Sequence, residues 1–412
     1  MKKLLFVINT LGRAGAETAL LELLERLKDC GCEIHLYVLL GQGSLIRQLP
    51  SHVRLLNDRF DECLIFTREG RYLLAKKVLK AFFRHGHLLD KTLYLIRTLW
   101  QMAKARRIQL DKLFWRVVAQ GAEYFDTEYD LAVAAIEGGS AYYVADYVKA
   151  RRKIAFIHID YKNAGYTKGM DQDCFSAFDA IFAVSEETRS SFLGIYPEHA
   201  EKTRVFDNIL NREKILRRAQ ETDAFRDDFE GIRLLTVGRL VWQKAYDVAA
   251  EVMKLLQQRG CAVRWYILGE GEERGNLEKQ IKGLGLEKDF LLLGHADNPY
   301  PYYLQTDIYV HMTRFEGKSI AVQEAMILGC AVIVSDCNGN REQVENGQTG
   351  LLCPLDPEKI AESIEALCED KEKRERLGRA AAEEMGRREL EFSPWFLLMG
   401  EEAPELSKEQ VG

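Results

Sequence analysis

The chain has 412 residues, 47% of them hydrophobic, which is an ordinary globular composition in a length that calls for two cores rather than one. A formal net charge of -6 gives no general attraction to nucleic acid, and nine scattered cysteines without metal-ligand spacing read as reduced thiols of a cytosolic protein. The opening "MKKLLFVINTLGRAGAE" has an apolar run of only about five residues, which reads as a first β-strand and not a signal peptide, and no run approaches the roughly 20 apolar residues of a membrane-spanning helix.

In chain order, "KLLFVIN", "EIHLYVLL", "DLAVAAI", "RKIAFIH" and "AIFAVS" are strand candidates of the first half, and "RLLTVGR", "VRWYILG", "DFLLLG", "DIYVHM" and "AVIVSD" those of the second. Buried runs alternating with helical patterns predict an α/β chain of two parallel, doubly wound sheets with helices on both faces. One segment breaks the rhythm. Between Arg68 and Arg116 thirteen Lys or Arg stand against three Asp or Glu, and Leu73, Leu74, Val78, Leu79, Phe82 and Phe83, then Leu93, Leu95, Ile96, Leu99 and Trp100, recur at helical spacing. Two or three basic amphipathic helices are expected there, either a solvated insertion or a surface for anionic lipid or an anionic acceptor. The polar stretch "NREKILRRAQETDAFRDDFEG" carries no strand pattern and marks the connection between domains at 1–210 and 211–390, followed by a tail at 391–412.

The most informative stretch is "FEGKSIAVQEAM". Amides at a helix start are unpaired and carry positive partial charge, so Gly317, Lys318, Ser319 and Ile320 are candidates to cradle a diphosphate. Glu316 would face the group attached to that phosphate. Glu324, about 7 Å beyond Ser319 along a helix, would accept the hydroxyls of a ribose; the plain alternative is a turn glutamate and a solvated helix glutamate. In "VGRLVWQKAYD", Gly238, Arg239 and Lys244 follow a strand, where open α/β sheets bind ligands, and two cations there suit a diphosphate leaving group without a metal. His158 and Asp160 in "IHID", and Glu137 with Gly138 and Gly139 in "AIEGGSA", also end strands, and are read as donor or acceptor contacts against the alternative of satisfied structural residues. "DQD" at Asp171 to Asp173 has the form of a metal-binding pair but opens a helical pattern, where acids suit the dipole, and the glycines of "GEGEERG" lack dinucleotide spacing.

From "VGRLVWQKAYD" through "LLLGHADNPYPYYLQTDIYVHMTRFEGKSIAVQEAMILG" to "CNGNREQVENGQTGLL" the chain resembles the second domain of family 4 (group 1) glycosyltransferases, in the branch that builds capsule, teichoic-acid and exopolysaccharide chains. "NTLGRAGAE" is similar to that family's first phosphate-side loop, with Gly15 and Glu17 at its matching positions, and Asn208 of "VFDNILN" falls at a usual Asn. The resemblance implies a GT-B architecture, two Rossmann-like domains facing across a cleft, and retaining transfer from a nucleotide-sugar, UDP-sugar first, without metal or other cofactor. It implies catalytic roles for Glu316, His158, Arg239 and Lys244 and donor binding by Gly15, Gly238, Gly317 to Ile320 and Glu324. It further implies a glycan or lipid-linked acceptor and a cytoplasmic protein, peripheral on the inner face of the membrane. Alternatives on the same fold are a nucleotide-sugar epimerase or phosphorylase and a non-catalytic, membrane-associated homologue. Two departures stand out: Ala245 where the family has glycine after the lysine, and Ala14 where glycine is common.

Overall fold

The expected strands form two parallel sheets. In the first, β1 (Lys3–Ile8), β2 (Glu33–Val38), β3 (Val53–Leu55), β4 (Tyr129–Ala134), β5 (Ala150–Ile157), β6 (Ala180–Ala183) and β7 (Thr203–Val205) are hydrogen-bonded in the order β3-β2-β1-β4-β5-β6-β7. In the second, β8 (Ile232–Val237), β9 (Val263–Leu268), β10 (Phe290–Gly294), β11 (Ile308–His311), β12 (Ala331–Ser335) and β13 (Leu351–Cys353) run β10-β9-β8-β11-β12-β13. The ten strands legible as apolar runs are all present. The three additional ones, β3, β7 and β13, have three residues each and lie at sheet edges, too short for an apolar run to mark them.

This computed structural model describes residues 1–12, 14–63, 68–104, 110–221 and 224–387. One compact unit begins at Met1 and ends at Ile209, and a second begins at Leu210. The polar stretch read as a connector is partly a helix, Arg212–Arg218, whose Ile215 is buried in the core of the second unit. The tail at 391–412 lies outside the described residues.

Strand alternation builds a core on each face of each sheet. Leu4, Phe6 and Ile8 of β1 join Leu20 and Leu24 of helix α1 (Gly15–Arg26), whereas Leu5 and Val7 join Tyr142 and Tyr143 on the opposite face. In the second unit Leu234 and Ile333 face one core, and Leu235, Val332 and Val334 the other. Strand order reverses between β1 and β4 and again between β8 and β11. Carboxyl ends of strands at such a reversal diverge and leave a ligand crevice.

The basic segment forms helices α2 (Arg68–Phe83) and α3 (Leu88–Lys104), but not with the packing its apolar spacing predicts. The face of α3 turned inward carries Lys91, Tyr94, Thr98 and Met102, while Leu93, Ile96, Leu99 and Trp100 are exposed. Lys91 explains the orientation. Its Nζ donates to the carbonyls of Ala81 and Phe82, each at 3.0 Å, and of Arg84 at 2.7 Å, so an ammonium satisfies the last carbonyls of α2 and meets the negative end of its dipole. The Tyr94 hydroxyl donates to the Met170 carbonyl at 3.4 Å. Among the described residues, no helix is long and apolar enough to cross a membrane.

Candidate active site

The sheet reversal in the second unit carries an ionic cluster. β8 delivers Gly238, Arg239 and then a short turn, Trp242–Lys244; β11 delivers His311 and the loop to Glu316. The two loops are fastened to each other. Arg314 N–H donates to the Gln243 carbonyl at 2.8 Å, Gln243 Nε2 to the Phe315 carbonyl at 2.8 Å, and the Thr313 hydroxyl to the Gln243 carbonyl at 3.1 Å. The Arg314 guanidinium binds Asp247 with Nη1 at 3.0 Å and Nη2 at 2.6 Å, a bidentate pairing that fixes the fork. Lys244 and Glu316 are thereby held together before any ligand must organise them.

Lys244 Nζ donates to Glu316 Oε2, and His311 Nε2 lies 3.3 Å from each of those atoms. The Tyr309 hydroxyl sits 3.2 Å from His311 Nδ1 and fixes the ring from behind. Burial opposes the charge on Glu316, but the Lys244 ammonium and then His311 outweigh it and hold its carboxyl at about 2. Burial, reinforced by Lys244, pushes the His311 imidazole below its usual range. Near neutral pH Glu316 is therefore a carboxylate and His311 a neutral imidazole. His311 was not singled out from the sequence, although it ends a buried strand as His158 does, the same signal that marked His158. Arg239 is exposed.

The stretch after Glu316 is backed by chain on its inner side. A Cβ added to Gly339 would lie 2.0 Å from the Gly317 carbonyl oxygen and 2.5 Å from that of Glu316, so only glycine allows this approach. The helix Ile320–Ile327 follows, with Ser319 at its N-cap in extended conformation and no capping bond from its side chain. The expected cradle Gly317 to Ile320 thus precedes and opens a true helix. Glu324 is not a solvated helix residue: it is buried, Oε1 accepting from the Tyr300 hydroxyl at 3.1 Å and Oε2 from that of Tyr303 at 3.2 Å. Both tyrosines were missed, since their contact with Glu324 is tertiary. In "GEGEERG", a Cβ on Gly269 would meet the Gly238 carbonyl oxygen at 1.9 Å; that glycine serves close backbone approach behind the β8 loop.

The first unit assembles a different group. α1 opens at exposed Gly15, and Glu17 in its first turn is buried, accepting from the Thr10 hydroxyl at 3.3 Å. Glu137 is buried and burial pushes its carboxyl up, against the His158 backbone N–H that it accepts through Oε2 at 2.9 Å. Glu137 therefore positions the His158 strand end. Burial also pushes the His158 imidazole down to about 4, and with Ala16, Phe156, Phe206 and Asn208 it lines a small hollow above β5.

Two of the expected acceptor-side groups have partners within the chain. Asp160 Oδ1 accepts from Asn163 N–H at 3.0 Å and from the Ser191 hydroxyl at 2.5 Å, and Oδ2 from Asn163 Nδ2 at 2.6 Å, so it stabilises a turn. The Gly138 and Gly139 backbone is closely packed. Tyr166 Oη would lie 3.1 Å from a Cβ on Gly138, Trp115 packs on both glycines, and the Ser140 amide already donates to Asn9 Oδ1 at 2.7 Å. The "DQD" pair is likewise explained: Asp171 is fully buried and accepts from the hydroxyls of Tyr142, Tyr161 and Tyr196 at 2.7, 2.9 and 2.6 Å.

Residues 220–384 match the family model described as glycosyl transferases group 1. The chain is 32% identical over 171 residues to the N-acetylgalactosamine-N,N'-diacetylbacillosaminyl-diphospho-undecaprenol 4-alpha-N-acetylgalactosaminyltransferase of Campylobacter jejuni, covering 41% of this chain and 45% of the relative. It is 29% identical over 144 residues to the capsular polysaccharide biosynthesis glycosyltransferase CapM of Staphylococcus aureus, covering 34% of this chain and 38% of the relative. The chain thus matches less than half the length of these curated relatives. Among solved structures, TarM of S. aureus superposes with a TM-score of 0.66 at 13% identity, covering 97% of this chain and 99% of that one. HepE of Anabaena, solved with UDP-glucose, superposes with a TM-score of 0.64 at 17% identity over 97% and 98% of the two chains. Most of the second unit thus matches the group 1 glycosyltransferase model, and the two parallel sheets have the GT-B fold.

Proposed function

We propose that the chain is a retaining, metal-independent glycosyltransferase that moves a sugar from a nucleotide-sugar, UDP-sugar first, to a glycan or lipid-linked acceptor in cell-surface polysaccharide synthesis. The observation that carries this reading is the pairing of Lys244 with Glu316 beside His311, one turn ahead of a helix start and at the reversal of the second sheet. The named activities of the relatives, a sugar transfer to a diphospho-undecaprenol-linked glycan and capsule synthesis, support the substrate class.

In this reading the sugar C1–O bond breaks, its electron pair leaves with the diphosphate oxygen, and the acceptor hydroxyl attacks C1 from the same face. The hydroxyl proton passes to the departing phosphate. An ammonium has three donors. Glu316 takes one on Lys244, so the same group can hold the carboxylate and also reach the diphosphate as charge develops on it. Arg239, exposed at the end of β8, is the second cation for that charge, and the amides of Gly317 to Ile320 supply the rest. Glu316, kept ionised, orients the sugar or stabilises positive charge at C1 in an oxocarbenium-like transition state. Glu324, with Tyr300 and Tyr303 behind it, accepts the ribose hydroxyls.

The test is a thermal-shift screen of nucleotide-sugars against the whole chain in EDTA, followed by turnover of the stabilising donor. A donor at about 100 times its Kd should add about 2.7 kcal/mol of stability. Turnover that disappears in EDTA and returns with manganese would refute metal independence, and hydrolysis or epimerisation unchanged by any acceptor would refute transfer.

A further inference from the structure

The outward face of the basic helices is built like a docking surface. Tyr72, Leu79 and Phe83 recur along α2, and Leu89, Leu93, Ile96 and Trp100 along α3, each set at the three- and four-residue spacing of one helix face. All seven side chains are between 60% and 80% exposed. Scattered exposed apolar residues need no account, but a stripe on each of two consecutive helices does. The stripes are not an accident of loose packing, because Lys91, Tyr94, Thr98 and Met102 fix the opposite face of α3 inward.

Charge decides the occupant. Arg71, Lys76 and Lys80 on α2 and Arg97 and Lys104 on α3 are exposed beside the stripes, against Glu69 and Asp90. Lys104 Nζ lies 5.4 Å from the Trp100 ring centre, its stem along the apolar surface and its charge at the edge. A second copy of this chain meeting the face symmetrically would bring cations against cations. A soluble polyanion would satisfy the cations and leave seven apolar side chains in water. An anionic lipid surface satisfies both, the stripes entering the headgroup boundary and the cations meeting the phosphates.

We infer that α2 and α3 dock the first unit on an anionic lipid surface. This goes beyond the glycosyl-transfer reading and does not rest on it. The experiment is sedimentation of the full chain with phosphatidylglycerol-containing vesicles and with phosphatidylcholine vesicles, at low and high salt. Three forms are compared: the natural chain, a stripe variant (Leu93→Ser, Ile96→Ser, Trp100→Ser) and a charge variant (Lys76→Glu, Lys80→Glu, Arg97→Glu). The changed side chains are exposed, so circular dichroism and Tm should stay unchanged. The natural chain should sediment with anionic vesicles only, and less at high salt. Each basic residue near the surface is worth roughly fivefold in binding, so the charge variant should lose a hundredfold or more, roughly, and the stripe variant should also be released. Nucleotide binding by the second unit should be the same in all three.

No sedimentation of the natural chain at low salt would overturn the inference. So would binding that the stripe variant keeps while soluble polyphosphate competes for it, which would assign the face to a polyanion. A dimer in solution that the stripe variant alone disperses would assign it to a second copy.

Discussion

Glu316 carries a charge where water is nearly excluded, and it does so because Lys244 and His311 stand within bonding distance. Removing the lysine leaves a poorly paired carboxylate and, in the proposed mechanism, strips one cation from the leaving group. Lys244→Ala should therefore lower kcat/KM by about a hundredfold or more, measured as release of the nucleoside diphosphate. Glu316→Gln should act mainly on kcat, whereas Glu324→Ala should act mainly on affinity for the free nucleoside diphosphate, because a ribose contact is present in ground and transition states alike. Unchanged diphosphate affinity in Glu324→Ala, by calorimetry, would show that the carboxylate between Tyr300 and Tyr303 only closes a buried network. His158 gives a pH prediction. Its folded value of about 4 lies below the ordinary 6.5, so the unfolded chain takes up the proton first as pH falls. The stability that this neutral imidazole contributes is complete above pH 6.5 and is lost on descent towards 4; a His158→Asn chain should show a flatter loss of Tm over that window.

At the scale of elements, the site depends on how closely loops are laid against each other. Ala245 has φ 47, the left-handed region, and is fully buried as it opens the helix Tyr246–Gln258. The conformation accounts for the glycine expected at that position, while the buried methyl offers partial compensation. Ala245→Gly should stay within about 1 kcal/mol of the natural chain, whereas Ala245→Val, a branched side chain at positive φ, should cost on the order of 2 kcal/mol or more in chemical denaturation. Gly339→Ala places a methyl against the Glu316 and Gly317 carbonyls, and should cost on the order of 3 kcal/mol or move that loop, seen as lost kcat in a chain that still folds. Asp171→Asn, by contrast, should lower stability through its three tyrosine bonds and leave donor turnover intact with or without manganese.

Across the whole molecule, legibility follows the length of the signal. Ten strands announced themselves as apolar runs because a parallel strand is buried on both faces, and loops such as "VGR" could be placed at strand ends, but the strand order that makes one of those ends a reversal was not legible. The edge strands, and the pairing of Glu324 with two tyrosines from the helix Tyr300–Leu304, were not legible, since neither leaves a periodic trace. Asp160 and Gly138 drew notice because strand ends are where ligands bind; their neighbours Asn163, Ser191, Trp115 and Tyr166 come from other turns and helices and leave no trace at those positions in the sequence. The direction of the apolar stripes on α3 was hidden for another reason: a buried lysine bonded to the end of α2 outweighs hydrophobic periodicity. The central claim, that a lysine–glutamate pair rather than a metal runs retaining sugar transfer, comes down to one measurement. Proton NMR of the sugar released or transferred from the stabilising donor, followed from the first turnovers in EDTA, should show the anomeric configuration of the donor kept, and no such product from Lys244→Ala on the same timescale. A product of opposite configuration, or product formed only after manganese is added, would contradict it.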